Sequence, residues 1–282
     1  MIVVFGATGT VGRQVVAALA ARGEPVRAFV RDPARASFGS GVERAVGDLG
    51  RPDSVRSALA GADRVFMVSA GPDALVHDRT VAAEVRHAGV RHVVKVSSVA
   101  ALPPVGDAYG GQQAAAERVF TRCGAGWTFL RPAAFMSNVL QWSWSITAED
   151  TVYVPFGHIA RALVDPRDVS EAAVTALTSP GHEGRAYTLT GPEALTAARQ
   201  TEAIGRALGR RLRCVDAPPS AARKAMADAG IPAAYADGVL ASLGDPDPAR
   251  GGTVLPTVER LLGRPAGTFA SWLAEHVAEF SA

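Results

Sequence analysis

Residues 2–12 read Ile2-Val3-Val4-Phe5-Gly6-Ala7-Thr8-Gly9-Thr10-Val11-Gly12, an apolar run that leads into a glycine-rich turn. Apolar side chains then recur at helical spacing, so the segment predicts a buried strand, a tight turn and an amphipathic helix. Glycines at such a turn let the backbone approach a pyrophosphate, and the free N–H groups of the helix attract its charge. We therefore predict that the phosphates of a dinucleotide bind at Gly6, Thr8, Gly9, Thr10, Val11 and Gly12.

The alternation of strand and helix continues to about residue 130. Runs rich in Val, Ile and Phe predict fully buried parallel strands at 2–5, 26–30, 42–46, 64–68, 92–96 and 127–130. Segments of helical period lie between them, at 10–22, 52–60, 73–88 and 111–123. This rhythm predicts an α/β fold with a Rossmann-type, doubly wound parallel sheet.

The second half of the chain is less regular. It predicts a helix at 133–145, strands at 151–155 and 159–164, a helix at 167–178, and a mobile loop at 244–256 that is rich in Gly and Pro. We expect an NAD(P)-binding Rossmann domain at 1–132 and a smaller α+β lobe at 133–282 that covers the substrate. The two are interleaved, because 165–180 is expected to return to the first domain.

Composition excludes several classes of function. The 282 residues include 29 basic and 27 acidic side chains, for a net charge of +2, which argues against a non-specific nucleic-acid binder. Cys123 and Cys214 form no disulfide framework or CxxC motif, and the histidines lack metal-binding spacing, so no metal is expected. No signal peptide or membrane-spanning run is evident. We expect a cytoplasmic monomer or homodimer that acts on a small molecule.

The residue after the second predicted strand bears on cofactor choice. NAD-preferring enzymes place an acidic residue here to hold the ribose 2′-hydroxyl, whereas this chain has Arg31, followed by Asp32 and Arg35. Arginine favours a 2′-phosphate through charge-assisted hydrogen bonds. We therefore predict NADP(H) in preference to NAD(H), with Arg31 and Arg35 as ligands. The alternatives are that Asp32 binds a ribose hydroxyl, or that Arg31 is only a solvated surface charge.

Two further strand ends are candidates for cofactor contacts. Asp48 and Leu49 follow the third strand, where a side chain can cover the adenine, and Ser69 and Ala70 follow the fourth, where small residues leave room for the cofactor. Asp48 could equally cap the next helix, and small residues are also ordinary turn formers. Both interpretations remain open from the sequence.

Several longer motifs identify a family. They are GATGTVG at 6–12, VRDPARA at 30–36, VVKVSS at 93–98, AAAERVF at 114–120, WTFLRPAAFMSN at 127–138, DPRDVSEAAVTAL at 165–177 and YTLTGPEALT at 187–196. Together they resemble the NmrA-like group of atypical short-chain dehydrogenases/reductases, which are NAD(P)H-binding proteins and quinone or azo reductases. The resemblance covers nearly the whole chain, and it implies that Pro132 and Ala133 line the nicotinamide.

The resemblance also implies a catalytic set, which this chain has only in part. Short-chain dehydrogenases use a serine and a Tyr-x-x-x-Lys pair, in which tyrosine protonates the substrate and lysine lowers the pKa of the phenol. Ser98 and Tyr109 match, but Gln113 stands where lysine belongs. Because glutamine carries no charge, ketone reduction and alcohol oxidation are in doubt. Ser98, Tyr109 and Gln113 are nevertheless the candidate catalytic residues.

Neighbouring residues on the fifth and sixth strands have competing interpretations. Ser97 ends the fifth strand beside the expected nicotinamide and is a candidate cofactor ligand. Ser97 and Ser98 could equally bond the strand's own backbone. Lys95 is expected to be a packed or snorkelling side chain, not a catalytic one.

An aromatic set follows the sixth strand. Phe135, Asn138, Trp142 and Phe156, with Trp144 nearby, suit a flat ring as substrate, although aromatic residues at helical spacing are more often core.

The motifs together predict an NADPH-dependent reductase. It would transfer hydride to a quinone or another conjugated, electron-poor ring, which needs no strong general acid. Two alternatives remain open. One is a non-catalytic NADP(H)-sensing regulatory protein, and the other is a tailoring ketoreductase or isomerase of natural-product biosynthesis.

Overall fold

The computed structural model describes residues 1–103, 105 and 107–280, without the side chain of Arg35. Its strands are β1 (Ile2–Phe5), β2 (Val26–Val30), β3 (Val42–Val46), β4 (Arg64–Met67), β5 (His92–Val96), β6 (Gly126–Pro132), β7 (Thr151–Val154), β8 (Arg185–Leu189) and β9 (Arg213–Asp216). Its α-helices are α1 (Thr10–Ala21), α2 (Pro52–Ala58), α3 (Ala74–Ala88), α4 (Ala108–Phe120), α5 (Ser143–Glu149), α6 (Pro166–Thr178), α7 (Ala197–Leu208), α8 (Pro219–Asp228), α9 (Ala233–Gly244), α10 (Thr257–Leu262) and α11 (Phe269–His276).

Seven strands form one sheet in the order β3-β2-β1-β4-β5-β6-β8, and the pairings from β3 through β6 are parallel. The predicted Rossmann-type sheet is therefore confirmed. The strand order reverses between β1 and β4, and a doubly wound sheet binds ligands outside the carboxyl ends of the strands at such a point. The glycine turn after β1 lies at this position.

One strand differs from its prediction. β3 was expected to be fully buried, but it is the edge strand of the sheet, and Val46 is 58% exposed. An edge strand has a neighbour on one side only, and Glu43 and Arg44 within it are charged and exposed, so the segment 42–46 does not need to be buried.

Contacts between Cα atoms divide the chain into two units. The first comprises 1–101, 112–131 and 169–187, and the second comprises 102–111, 132–168 and 188–282. The core of the first unit lies around Val3, Phe5 and Phe29, and the Phe5 and Phe29 rings meet edge-on at 5.0 Å. The core of the second unit includes Phe269 and Trp272. The division into a Rossmann domain at 1–132 and an interleaved, substrate-covering lobe at 133–282 stays a prediction.

The second unit corrects two predicted elements. The segment 133–145 begins as a 3₁₀ helix over Met136–Trp142 and becomes α-helical only in α5. The strand expected at 159–164 does not form. Its backbone amides donate to carbonyl groups of three different segments. The pairs are Arg161 N–H with Leu195 O, Ala162 N–H with Gly251 O, and Val164 N–H with Ala134 O. No continuous ladder to one neighbour is possible with those partners.

The loop at 244–256 is more ordered than its composition suggests. It contains a 3₁₀ turn at Pro248–Arg250, and the guanidinium of Arg250 donates to the carbonyl of Leu102 at 2.5 Å. Arg161 donates to further carbonyls at 243 and 245. The expectation of a mobile loop did not anticipate these attachments.

Candidate cofactor and substrate sites

The glycines of the β1–α1 turn differ in what they permit. Gly6 has a φ of +76°, and a Cβ there would lie 2.5 Å from Val68 Cγ1. A Cβ on Gly12 would lie 2.1 Å from the carbonyl oxygen of Gly6. At Gly9 the same distance is 3.4 Å, an ordinary contact. The turn itself therefore requires glycine at positions 6 and 12. At position 9, no contact within the described protein excludes a side chain.

The start of α1 leaves backbone donors available to a ligand. Gly9 is the N-cap and has no side chain to bond the first amides of the helix. Thr8, Gly9 and Thr10 are exposed, whereas the side chain of Val11 is buried in the core. Val11 can therefore serve a ligand only through its backbone N–H. An exposed helix start with unsatisfied N–H groups favours a phosphate.

A cleft of about 380 Å³ lies beside the end of β2. It is lined by Arg31, Val46, Gly47, Asp48, Arg51, Asp53 and Ser54. The exposed Arg31 side chain thus lies on a cleft next to the start of α2. Arg51 is a second cation in this cleft. It was not among the predicted cofactor ligands, because it lies outside the glycine motif.

Two carboxylates near this cleft already have partners. Asp32 accepts a hydrogen bond from Ala34 N–H at 2.9 Å, so it caps a short 3₁₀ turn. Asp48 accepts from Gly50 N–H at 2.7 Å and closes the turn that precedes α2. The alternative that Asp48 caps α2 is wrong, because Arg51 is the N-cap of that helix and no described side chain bonds its first amides. The contact of Asp48 with adenine stays a prediction.

Other predicted cofactor residues lie in varied surroundings. Leu49 packs partly against the core of the first unit, and Ala70 is exposed after β4. The prediction for the Arg35 side chain lies outside the described part of the chain. Pro132 and Ala133 are buried at the end of β6, where Ala133 N–H donates to Leu189 O at 2.9 Å.

A buried ion pair lies behind the end of β4. Lys95 Nζ is 3.0 Å from Asp78 Oδ1, and both side chains are at most 2% exposed. Ser69 Oγ donates to the same carboxylate at 2.9 Å and accepts from Lys95 at 3.1 Å. Lys95 is thus held within the core, as the sequence analysis expected of a packed side chain, although it does not snorkel to solvent. The Ser69 hydroxyl faces this pair.

A second network joins the ends of β5 and β6 to α4. Arg131 makes two hydrogen bonds to the Glu117 carboxylate, at 2.8 and 2.6 Å, and the Ser97 hydroxyl donates to it at 2.6 Å. These bonds raise the pKa of Arg131. Ser98 Oγ accepts from Ala100 N–H at 3.2 Å. Both serine hydroxyls therefore have partners in the protein, but neither bonds the backbone of β5, which was the alternative expected from the sequence. The catalytic role of Ser98 and the cofactor contact of Ser97 stay predictions.

Tyr109 and Gln113 stand one turn apart on α4. The Tyr109 ring meets Tyr235 of α9 edge-on, with centroids 6.0 Å apart. The half-buried Gln113 amide makes no hydrogen bond to a described side chain or backbone group. The neighbouring Gln112 donates to Pro72 O at 2.8 Å, and its Oε1 is buried without a described partner. The structure therefore identifies Gln112 as a further polar group that a ligand could satisfy.

The second unit contains a cavity of about 540 Å³. All four predicted substrate residues, Phe135, Asn138, Trp142 and Phe156, line it. Trp144 does not, and it is 74% exposed. Residues two positions apart on a helix point in nearly opposite directions, which explains why Trp142 and Trp144 differ. Substrate contact by the four residues remains a prediction.

The far wall of this cavity comes from α8, α9 and the segment between them. Met226, Ile231, Leu240 and Leu243 are its larger apolar side chains. Sequence reasoning did not find them because they lie some ninety residues beyond the aromatic set, and only the tertiary fold brings them together. Phe156 has a φ of +58°, unusual for a bulky residue, and such strained conformations cluster at functional sites.

The described residues contain neither a metal-binding cluster nor a membrane-spanning helix. In the ranges that the structure covers, no group of three or more His, Cys, Asp and Glu side chains could hold a metal ion. None of the helices described is both long and apolar enough to cross a bilayer.

Comparison with known proteins identifies a family and several similar reductases. Residues 6–180 match the family model described as NAD(P)H-binding. The chain is 44% identical to a (4-alkanoyl-5-oxo-2,5-dihydrofuran-3-yl)methyl phosphate reductase of Streptomyces griseus, over 100% of this chain and 99% of that protein. It is 38% identical to an NAD(P)H azoreductase of Xenophilus azovorans, over 100% of both chains.

A solved structure has the same fold. It is an NADPH-dependent quinone oxidoreductase of Escherichia coli complexed with NADPH, with a TM-score of 0.83 and 24% identity over 100% of both chains.

Proposed function

This chain belongs to the NAD(P)H-binding family, within the NmrA-like group of atypical short-chain dehydrogenases/reductases, and from that membership we propose that it is an NADPH-dependent reductase of conjugated, electron-poor small molecules. The observation that carries the proposal is the glycine turn at the switch point of the sheet. A Cβ at Gly12 would fill the space that the turn keeps for the close approach of backbone atoms, 2.1 Å from Gly6 O. Such a turn before an exposed helix start fits a pyrophosphate.

The residues present fit a dinucleotide along the first unit. The amides of Thr10, Val11 and Gly12 would hold the pyrophosphate, and Arg31 with Arg51 would hold the adenosine end in the 380 Å³ cleft. When bound, the cofactor supplies a hydride from its nicotinamide. The chain's own contribution is to bind and orient the cofactor and to exclude water from it.

We propose that NADPH is preferred to NADH. Two guanidinium groups line the adenosine cleft, and each can make charge-assisted hydrogen bonds to a 2′-phosphate. Asp32, which follows Arg31, does not line this cleft, and one of its carboxylate oxygens accepts from Ala34 N–H. The related fold from Escherichia coli was crystallised with NADPH, which supports the same preference.

The proposed substrates are quinones and other conjugated acceptors because the proton-donating apparatus is incomplete. Gln113 supplies no positive charge to Tyr109, and the Glu117 carboxylate is bound to Arg131. An acceptor that forms a resonance-stabilised anion can take its proton from water. The named substrate of the Streptomyces griseus relative carries a ring double bond conjugated to carbonyl groups, and the azoreductase acts on an azo bond.

Steady-state NADPH oxidation with a panel of acceptors tests this proposal. We expect turnover with quinones or unsaturated lactones and little with isolated ketones. Cofactor binding without turnover would favour the NADP(H)-sensing alternative, and turnover of isolated ketones would favour the ketoreductase. We also propose that the protein acts in the cytoplasm. We propose in addition that it is a monomer or a homodimer, and gel filtration with light scattering would test this by measuring its molar mass.

A further inference from the structure

The cavity of the second unit is almost uncharged. Of the described residues that line it, Arg161 alone carries a charge, and no carboxylate lines it. The remaining walls are apolar or neutral, with Phe135, Trp142 and Phe156 as the aromatic surfaces. A ligand in this cavity would therefore meet one positive group on an apolar surface.

Arg161 is held in place by neutral groups. Its Nη1 donates to Arg250 O at 3.1 Å, and its Nη2 donates to Leu243 O and Asp245 O, each at 2.9 Å. The Asp245 carboxylate pairs instead with Arg250, at 3.5 Å. Among the described residues, no carboxylate lies within 4.0 Å of the Arg161 guanidinium. The carbonyl groups fix its position, and the Asp245 carboxylate acts on its charge only from beyond ion-pair distance.

A partly buried guanidinium without an ion-pair partner is unfavourable, and the distant Asp245 carboxylate offsets its desolvation only in part. Desolvation lowers the pKa of Arg161, although a guanidinium stays protonated in proteins. The three strong carbonyl bonds use three of its five N–H groups, so donors remain for a ligand. An anion that enters the cavity would offset the desolvation of this charge and accept those donors.

We propose that this cavity binds an amphipathic anion, with its apolar conjugated body against Phe135, Trp142 and Phe156 and its carboxylate or phosphate at Arg161. The inference rests on the proposed function, because it takes this cavity to be where the reductase holds its substrate. It adds the charge of the substrate and the residue that would recognise that charge. Arg161 is thus a specificity-determining residue.

Matched pairs of probes test the proposal by calorimetric titration of the full chain, with and without NADP⁺. The pairs are naphthyl phosphate with naphthol, and naphthoate with naphthamide. We expect each anion to bind more tightly than its neutral partner, by about 10- to 100-fold, the scale of a hydrogen bond to a charged group. The two pairs distinguish a phosphate site from a carboxylate site.

Two variants separate charge from structure. Arg161→Gln should abolish the preference for anions and leave the neutral probes unchanged, while Arg161→Lys should retain part of the preference. Arg206→Gln is the control, since Arg206 is an exposed arginine of α7 in the same unit and does not line the cavity. Arg206→Gln should keep the preference for anions.

Failure of this inference can be distinguished from failure of the proposed reductase function. Equal binding of anions and neutral partners by the unmodified chain would overturn the inference, even if neutral quinones are reduced with NADPH. Equal loss of both kinds of probe in Arg161→Gln would also overturn it, because Arg161 would then only anchor the loop. A preference for anions that depends on Arg161, in a chain that oxidises no NADPH, would support the inference and contradict the reductase proposal.

Discussion

Gly9 and Gly12 of the β1–α1 turn should respond differently to substitution. Gly9→Val should abolish NADPH binding and leave the fold intact, because its Cβ meets only an ordinary contact at 3.4 Å but would project from the exposed helix start. Gly12→Ala should destabilise the fold itself, since its Cβ would lie 2.1 Å from a backbone oxygen. Calorimetric titration and thermal unfolding of both variants separate the two effects. Normal NADPH binding by Gly9→Val would show that the turn has another role.

The two arginines of the adenosine cleft allow a comparison. Arg31→Ala should weaken NADPH binding by about 1.5–3 kcal/mol, the scale of a hydrogen bond to a charged group, and change NADH binding little. Arg51→Ala should act in the same direction if both guanidinium groups contact the 2′-phosphate. Arg44→Ala, on the exposed edge of β3, is the control and should change neither affinity. Equal losses for NADPH and NADH would contradict the assignment of Arg31.

Substitution of Tyr109 tests whether its phenol donates a proton to the substrate. We expect Tyr109→Phe to lower quinone turnover less than about tenfold, because a general acid contributes roughly 10²-fold or more and Gln113 cannot activate the phenol electrostatically. Turnover and NADPH affinity are measured together. A hundredfold loss of turnover at unchanged affinity would show that Tyr109 is the proton donor, and the ketoreductase alternative would then be favoured.

At the scale of elements, the Lys95–Asp78 pair fastens α3 to β5. Asp78→Ala should lower the free energy of unfolding by about 3–5 kcal/mol, because it leaves a buried ammonium without its partner. The double variant Lys95→Met, Asp78→Leu should recover most of that loss, since apolar replacements leave no buried charge. Asp237→Ala, which breaks the exposed pair with Arg223, is the control and should change stability little. Urea unfolding of the unmodified chain and the three variants measures these free energies. Equal losses for Asp78→Ala and Asp237→Ala would show that burial of the Lys95–Asp78 pair does not matter for stability.

Elements with local signals were predictable from the sequence, and those that depend on distant partners were not. The bounds of β1, β2 and β5 agree with their apolar runs, because buried strands in a parallel sheet need little more than such a run. The apolar run at 159–164 misled because its amides bond three different segments. The exposure of β3 depends on sheet order, which the run at 42–46 does not encode.

The candidate site follows the same division. Phe135, Trp142 and Phe156 were predicted as a set because they follow β6 closely in the chain. Arg161 was assigned to a strand, so its place in the cavity wall could not be anticipated. The walls from α8 and α9 are set by tertiary packing alone. Family resemblance, in contrast, was predictable from the motifs, and the match to residues 6–180 and the similar reductases confirm it.

The stability of the whole molecule should depend on pH through His92. This side chain is 4% exposed, and its Nε2 lies 2.9 Å from Thr128 Oγ1. Because the Thr128 hydroxyl donates to His182 O at 2.6 Å, its oxygen accepts from Nε2–H, which requires no charge on the ring. Burial lowers the pKa of His92, and the carboxylate of Glu183 opposes this only in part.

The lowered pKa sets the sign of the effect. Below the unfolded-state pKa of about 6.5, the unfolded chain binds a proton that the folded chain resists, so the free energy of unfolding falls as the pH falls towards the folded-state pKa. The slope from this one group is at most about 1.4 kcal/mol per pH unit. Urea unfolding from pH 8 to 5 should show a shallower decline for His92→Gln than for the unmodified chain, whereas His158→Gln, at an exposed position, should keep the original slope. Identical slopes for His92→Gln and the unmodified chain would mean that the pKa of His92 is the same in the folded and unfolded states, which would contradict the lowered pKa.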